Sequence, residues 1–295
     1  MATPADAPEI LTAEGNPRSH DTPWYNKEEP EVSAAARKLL REWSEVKDDN
    51  IVGRVMALRD KAWNVFPFPC IGQYRFLDLV LPTLPIYTDL LTLLKNPSTN
   101  FLDLGCCLGQ ELRQLALDGV SPSQLYGSDL SAQYLELGYE LFGDHEKFSK
   151  ATFIAADVFN EEEKEGEGLR ALEGKMDAIY TGSFFHLFDY SLQALVAKRA
   201  VKLLKPTPGV LVLGRQIGNA KPGEYPRRIS GGTRFRHDAA TWKKLWEEVG
   251  AETGTKWDAQ VQTEEWSGEF RKDNQWVRSQ PEQTIRLRFV IRRIE

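Results

Sequence analysis

Apolar positions change period several times along the chain, and each change marks an element. Val32, Ala36, Leu39, Leu40, Trp43 and Val46 recur at helical spacing after Pro30, which suits a helix start. Val52, Val55, Met56, Arg59 and Trp63 predict a second helix, with Asn50 as its cap and Phe66-Pro67-Phe68-Pro69 as its stop. A third helix is read over 86–94. It leads into a short apolar run, Phe101-Leu102-Asp103-Leu104, of the kind a buried strand needs. From there strand and helix alternate, with strands at 101–104, 125–127, 151–155, 176–181 and 209–214, and helices between them. Such β-α repetition calls for a parallel sheet covered on both faces. The last third reads differently. Trp242, Leu245, Trp246 and Val249 mark a helix ending at Gly250. Trp257, Ala259, Val261 and Thr263, then Ile285, Leu287, Phe289 and Ile291, alternate with polar residues. Period-two patterning predicts two half-buried antiparallel strands that close the sheet edge.

Composition narrows the class. The chain has 295 residues, 41% hydrophobic and 27% charged, which is ordinary for a globular protein with a sizeable core. No apolar run approaches the roughly 20 residues of a membrane helix. Residues 1–23 lack a basic-then-apolar leader, so a cytoplasmic location is expected. The three cysteines, Cys70, Cys106 and Cys107, form no disulfide framework and show no metal-ligand spacing. A net charge of −6 argues against a nucleic-acid partner. The expected organisation is a loose arm over 1–29, a helical lid over 30–98 lying across the mouth of the main domain, and a core over 99–295. The acidic stretch 160–174 reads as a solvated loop.

Candidate chemistry lies just past the first strand. There Gly105 and Gly109 allow a tight turn into a helix, where backbone amides approach a ligand closely. The dinucleotide fingerprint G-x-G-x-x-G fails, because Cys107 and Gln110 stand where two of its glycines belong. The pattern left is Asp103-x-Gly105-x-Cys107-x-Gly109. Ser128-Asp129-Leu130 ends the second strand, Ala156-Asp157-Val158 the third, and Ser183-Phe184-Phe185-His186 the fourth. A carboxylate at the second position offers two oxygens to the vicinal diol of a ribose. Ligands of open α/β sheets bind off the carboxyl ends of strands, where all four features fall.

The Asp-x-Gly-x-Cys-x-Gly loop resembles motif I of class I S-adenosylmethionine-dependent methyltransferases, with Cys107 in place of the middle glycine. The stretches Phe-Leu-Asp-Leu-Gly-Cys-Cys-Leu-Gly-Gln, Tyr-Gly-Ser-Asp-Leu, Gly-Ser-Phe-Phe-His-Leu-Phe and Leu-Gly-Arg-Gln-Ile-Gly look like fungal secondary-metabolite methyltransferases, including carboxyl methyltransferases of meroterpenoid pathways. The resemblance implies a Rossmann-like seven-stranded, mostly parallel sheet and S-adenosyl-L-methionine as cofactor. It implies cofactor contacts at Asp103, Gly105, Cys107, Gly109, Ser128, Asp129, Leu130, Ala156, Asp157, Val158 and Ser183. Asp103 would help to hold the methionine amino group, and Asp157 the adenine amino group. A homodimer is also left open.

The acceptor is less constrained. A carboxylate is already ionised at neutral pH and needs no general base, whereas a phenol would use His186. Between 215 and 237, Arg215, Lys221, Arg227, Arg228, Arg234 and Arg236 stand against Glu224 alone. These residues, with Gly218, Gly223, Gly231 and Gly232, suggest a basic flap that draws in an anionic small molecule. Arg215 or another flap arginine, with His237 nearby, would hold its carboxylate. Two rival readings are a hydroxyl O-methyltransferase and a non-catalytic adenosylmethionine-binding protein.

Overall fold

The computed structural model describes residues 18–227, 231–266 and 280–295. Its central sheet has the order β3-β2-β1-β4-β5-β9-β8, built from β1 (Phe101–Leu104), β2 (Leu125–Asp129), β3 (Thr152–Ala155), β4 (Ala178–Gly182), β5 (Leu211–Asn219), β8 (Trp257–Glu265) and β9 (Thr284–Arg293). The first five strands run parallel, and β9 pairs antiparallel with both β5 and β8. The expected seven-stranded sheet with a reversed C-terminal pair is therefore present. Strand alternation splits the core in two. Phe101, Ala178, Tyr180, Leu211 and Leu213 join one cluster; Leu102, Leu104, Ile179 and Val212 join the other.

The first cluster is covered by α1 (Ala34–Glu42), α2 (Asp48–Val65), α5 (Gln110–Leu117) and α6 (Ala132–Phe142), the second by α7 (Tyr190–Leu203) and α8 (Ala239–Thr253). Several of these helices have an identifiable start. Ser33 caps α1 by accepting from the Ala36 amide at 3.2 Å, and Asp189 caps α7 from Leu192 at 2.9 Å. Asp238 and Thr241 form a capping box on α8. Asn50 does not cap α2. It lies within the first turn, where Asp48 and Asp49 place negative charge at the positive helix end.

α1 packs on α2 and α5, and α2 packs on α6. Arg54 of α2 donates to the carbonyls of Leu141 and Glu140 at 2.6 Å, satisfying the last turn of α6. The chain after α2, residues 66–81, then turns over the strand ends, with α3 (Pro69–Gly72) as a single helical turn within it. The Val80 amide donates to Glu111 at 2.8 Å, and Asp78 lies 3.9 Å from Arg215. The helix expected over 86–94 is α4 (Tyr87–Leu94), which leads into β1.

Two further expectations are corrected. β5 continues to Asn219, because β9 pairs with it along the whole length, so Arg215 belongs to a strand rather than to a flap. Beyond β5 the chain forms an antiparallel hairpin, β6 (Gly223–Pro226) with β7 (Thr233–Arg236); Arg228 lies outside the described residues. The 160–174 stretch is not merely solvated. It contains a short 3-10 turn, Gly168–Leu172, and Glu163 is drawn inward onto Arg199 at 2.7 Å.

The close fit of α6 on the loop between β1 and α5 yields a test. A Cβ added to Gly138 would collide with the backbone carbonyl of Leu108. Gly138→Ala is therefore expected to lower stability by about 2 kcal/mol despite its better helix propensity. A urea titration showing a gain instead would contradict this packing.

Candidate active site

At the tip of β1 the chain must leave the sheet without orphaning its amides. The Ser128 carbonyl accepts from both Gly105 (2.8 Å) and Cys106 (2.9 Å). The turn passes through three left-handed residues, Gly105 (φ 80°), Cys107 (φ 52°) and Gly109 (φ 67°). At Gly105 a side chain would also strike the Phe184 ring. Cys107 thus adopts the backbone that motif I gives to glycine, at a steric cost.

The second strand supplies Asp129. Its Oδ2 accepts from the Cys107 amide at 2.9 Å and its Oδ1 from Ser131 at 3.1 Å. Burial raises its pKa, and those amide bonds oppose the rise. Ser128 is buried and acts through its carbonyl. Leu130 stands 70% exposed beside Asp129, an unusual position for a large apolar side chain. At the end of β3, the Ala156 amide donates to the Asp129 carbonyl at 3.0 Å. Val158 is buried, and Asp157 accepts from Phe159 at 3.0 Å. Ser183, just past β4, is left-handed at φ 63°, and its amide donates to the Arg215 carbonyl at 2.8 Å. Two non-glycine residues in this strained region, Cys107 and Ser183, thus lie at neighbouring strand ends.

Asp103 is 2% exposed, and its carboxyl is pushed well above the usual range by burial, then by Glu111 and Asp129. No ion pair holds it among the described residues. Glu111, two residues after Gly109, was missed in the sequence because it reads as an ordinary first-turn acid. It is buried, accepts from the amides of Val80 and Leu81, and has its pKa raised to about 7, chiefly by burial.

The surroundings of His186 are cationic. His186 sits in a 3-10 turn after β4, 8% exposed. Its pKa is driven well below the usual value by burial, then by Arg234, Arg236, Arg215 and Arg75. Its Nδ1 faces the Ile217 amide at 3.5 Å, a long contact compatible with a ring proton on Nε2. Arg215 and Arg236 come from β5 and β7. Arg75 and Asp78 come from the covering segment and gave no sequence signal. Arg236 is tied to Thr284 (3.1 Å) and Gln280 (2.7 Å). His237 does not join this group. It bonds Thr241 at 3.1 Å beside the start of α8, and burial lowers its pKa to about 3.

The residues fit S-adenosyl-L-methionine. A buried acid without a cation suits the donor's positive charge, and a two-oxygen acid beside an exposed leucine suits a ribose and its base. Sheet order, glycine turn and acid-tipped strands define a class I methyltransferase.

Comparison with known proteins specifies the family. The family model "Meroterpenoid methyltransferase N-terminal domain" matches residues 24–77. O-methyltransferase phiE of a fungal species is 44% identical over 283 residues, covering 92% of this chain and 93% of that protein. O-methyltransferase atr3 of Stereocaulon alpinum is 40% identical over 285 residues, 96% and 80% of the two chains. Asnovolin E/Chermesin D methyltransferase nvfJ of Aspergillus novofumigatus is 38% identical over 225 residues, 76% and 79%. The chain belongs to this family of fungal O-methyltransferases and is a methyltransferase.

Two outcomes are expected. Cys107→Gly relieves the left-handed strain and stabilises the fold by about 0.5 kcal/mol with cofactor affinity retained, whereas Cys107→Val costs about 1–2 kcal/mol. Denaturant titration with calorimetry of S-adenosylhomocysteine binding checks both. Glu111 has a folded pKa (about 7) above its ordinary value of 4.5, so its contribution is full below 4.5 and is lost as pH rises through 7. Glu111→Gln should therefore gain stability over the parent across that window, by about 3 kcal/mol at most. Parallel pH–stability curves for the two proteins would refute this.

Proposed function

We propose that the protein transfers a methyl group from S-adenosyl-L-methionine to a carboxylate of a small-molecule secondary metabolite, giving a methyl ester. When bound, the cofactor supplies an electrophilic methyl group on a sulfonium. Asp103 and the start of α5 would hold its methionine end, the Gly105–Gly109 turn allowing close approach while its own amides at 105, 106, 107 and 109 bond Ser128, Asp129 and Cys106. Asp129 would hold the ribose, with Leu130 and the 156–158 turn bounding the base. The chain's remaining task is to align an acceptor oxygen in line with that methyl and exclude water.

The observation that carries the carboxylate reading is the state of His186. Four guanidinium groups and burial keep the imidazole neutral, and its Nδ1 already faces the Ile217 amide. The edge left for a substrate is therefore the Nε2–H donor. A donor beside arginines suits an ionised oxygen acceptor and gives no help in removing a proton. In this reading His186 and Arg215 orient the carboxylate. A small-molecule acceptor is supported by the name of one relative, nvfJ, an asnovolin E/chermesin D methyltransferase. The second reading, methylation of a phenol with His186 as base, requires the other tautomer, with the proton on Nδ1 and the 3.5 Å contact from the Ile217 amide given up.

The discriminating measurement incubates the protein with labelled cofactor and a panel of carboxylic acids and phenols. The expected product is a methyl ester, cleaved by mild base; a base-stable ether would establish the second reading. Arg215→Ala is expected to raise the acceptor KM about ten-fold or more while S-adenosylhomocysteine affinity stays near the parent's. Equal loss of both would remove Arg215 from the acceptor site.

A further inference from the structure

The glycine turn is held from behind by a buried ion pair that contributes nothing to the strand tips. Arg113 of α5 is 0% exposed. Its Nη1 donates to the carbonyls of Leu108 (2.8 Å) and Gly109 (3.3 Å), the last residues of the turn. Its Nε and Nη2 donate to Asp144 at 2.9 and 3.0 Å, a bidentate pair just past the end of α6. Asp144 also accepts the indole N–H of Trp43, the C-cap residue of α1, at 2.7 Å. The rings of Tyr139, Phe142, Phe148 and Phe153 surround the guanidinium at 4.7–5.2 Å. Water is thereby kept from bonds that are strong only where it is excluded.

A peptide plane is rigid, so fixing the carbonyls of Leu108 and Gly109 also fixes the planes that carry the Gly109 and Gln110 amides. The Gly109 amide closes the turn on the Cys106 carbonyl at 2.8 Å, and the Gln110 amide stands at the start of α5, on the side where the cofactor reading puts the methionine end. Resting on the cofactor reading above, we propose that Arg113 is a positioning residue for cofactor affinity. Its orientation is set by Asp144 and, through Asp144, by Trp43. Helix α1, which supplies none of the strand-tip residues, is thus coupled to the grip on the cofactor.

A purely structural ion pair makes a different forecast. Replacing both partners of a buried pair by apolar residues of similar size commonly leaves stability little changed, whereas losing one strands a charge. The test is therefore Arg113→Met/Asp144→Leu, with Trp43→Phe beside it to remove only the indole bond. Calorimetry should show S-adenosylhomocysteine binding weakened about ten-fold in the double variant and about three-fold in Trp43→Phe, with acceptor KM and melting temperature close to the parent's. Parent-like affinity in a folded double variant overturns the proposal. If that variant does not fold, parent-like affinity in Trp43→Phe overturns it equally. A parent that binds no S-adenosylhomocysteine would instead overturn the cofactor reading.

Discussion

The site depends on one exchange of backbone hydrogen bonds between the tips of β1 and β2. Ser128 gives its carbonyl to two successive amides, Gly105 and Cys106, and Asp129 gives a carboxylate oxygen to the third, Cys107. A chain leaving a parallel strand loses its ladder partners, and orphaned buried amides are expensive. Here the neighbouring strand meets that demand. The left-handed residues at 105, 107 and 109 are its consequence, because such a curl turns three amides toward one point. The bond that shapes the loop also aims Asp129, so the acid is preorganised before a ligand arrives.

Charge is then divided among the strand ends. Asp103, Glu111 and Asp129 stand on the side of the glycine turn, each raised in pKa chiefly by burial. Arg75, Arg215, Arg234 and Arg236 stand around His186. Glu111 lies at the border, since its pKa responds to Arg215 and Asp78 as well as to its own burial. In the proposed reading, a sulfonium donor on the acidic side and an anionic acceptor on the basic side would each meet the opposite sign. Bringing those two ligands together brings opposite charges together, which lowers the cost of burying both.

Much of this was legible because it is local. Strand periods and the 105–109 turn lie within single stretches of sequence and return as read, and Asp129 and Asp157 stand at or just past the ends of β2 and β3. The misses have a common cause in partners that are distant along the chain. β5 looked finished at Gly214 because Arg215 and Gln216 are polar, yet its pairing with β9 carries it to Asn219. Glu163 looked solvated in an acidic run until Arg199 of α7 claimed it. Arg75 and Asp78 carry no motif, and only the fold of the covering segment brings them to Arg215.

That difference has a consequence for how the two halves of the site can change. The cofactor half is nearly contiguous, from Asp103 to Leu130, and its side chains are locked by the backbone exchange that shapes the loop. The half we propose for the acceptor is assembled from the 66–81 segment, the end of β5 and the β6–β7 hairpin. The covering segment is anchored to Glu111 through the amides of Val80 and Leu81. Any residue except proline supplies an amide, so this anchorage places no demand on the segment's side chains. Arg75 and Asp78 bond each other at 3.2 Å, so exchanging either changes the charge beside Arg215 while the two amide bonds to Glu111 remain. A scaffold built this way keeps one methyl donor while admitting many acceptors.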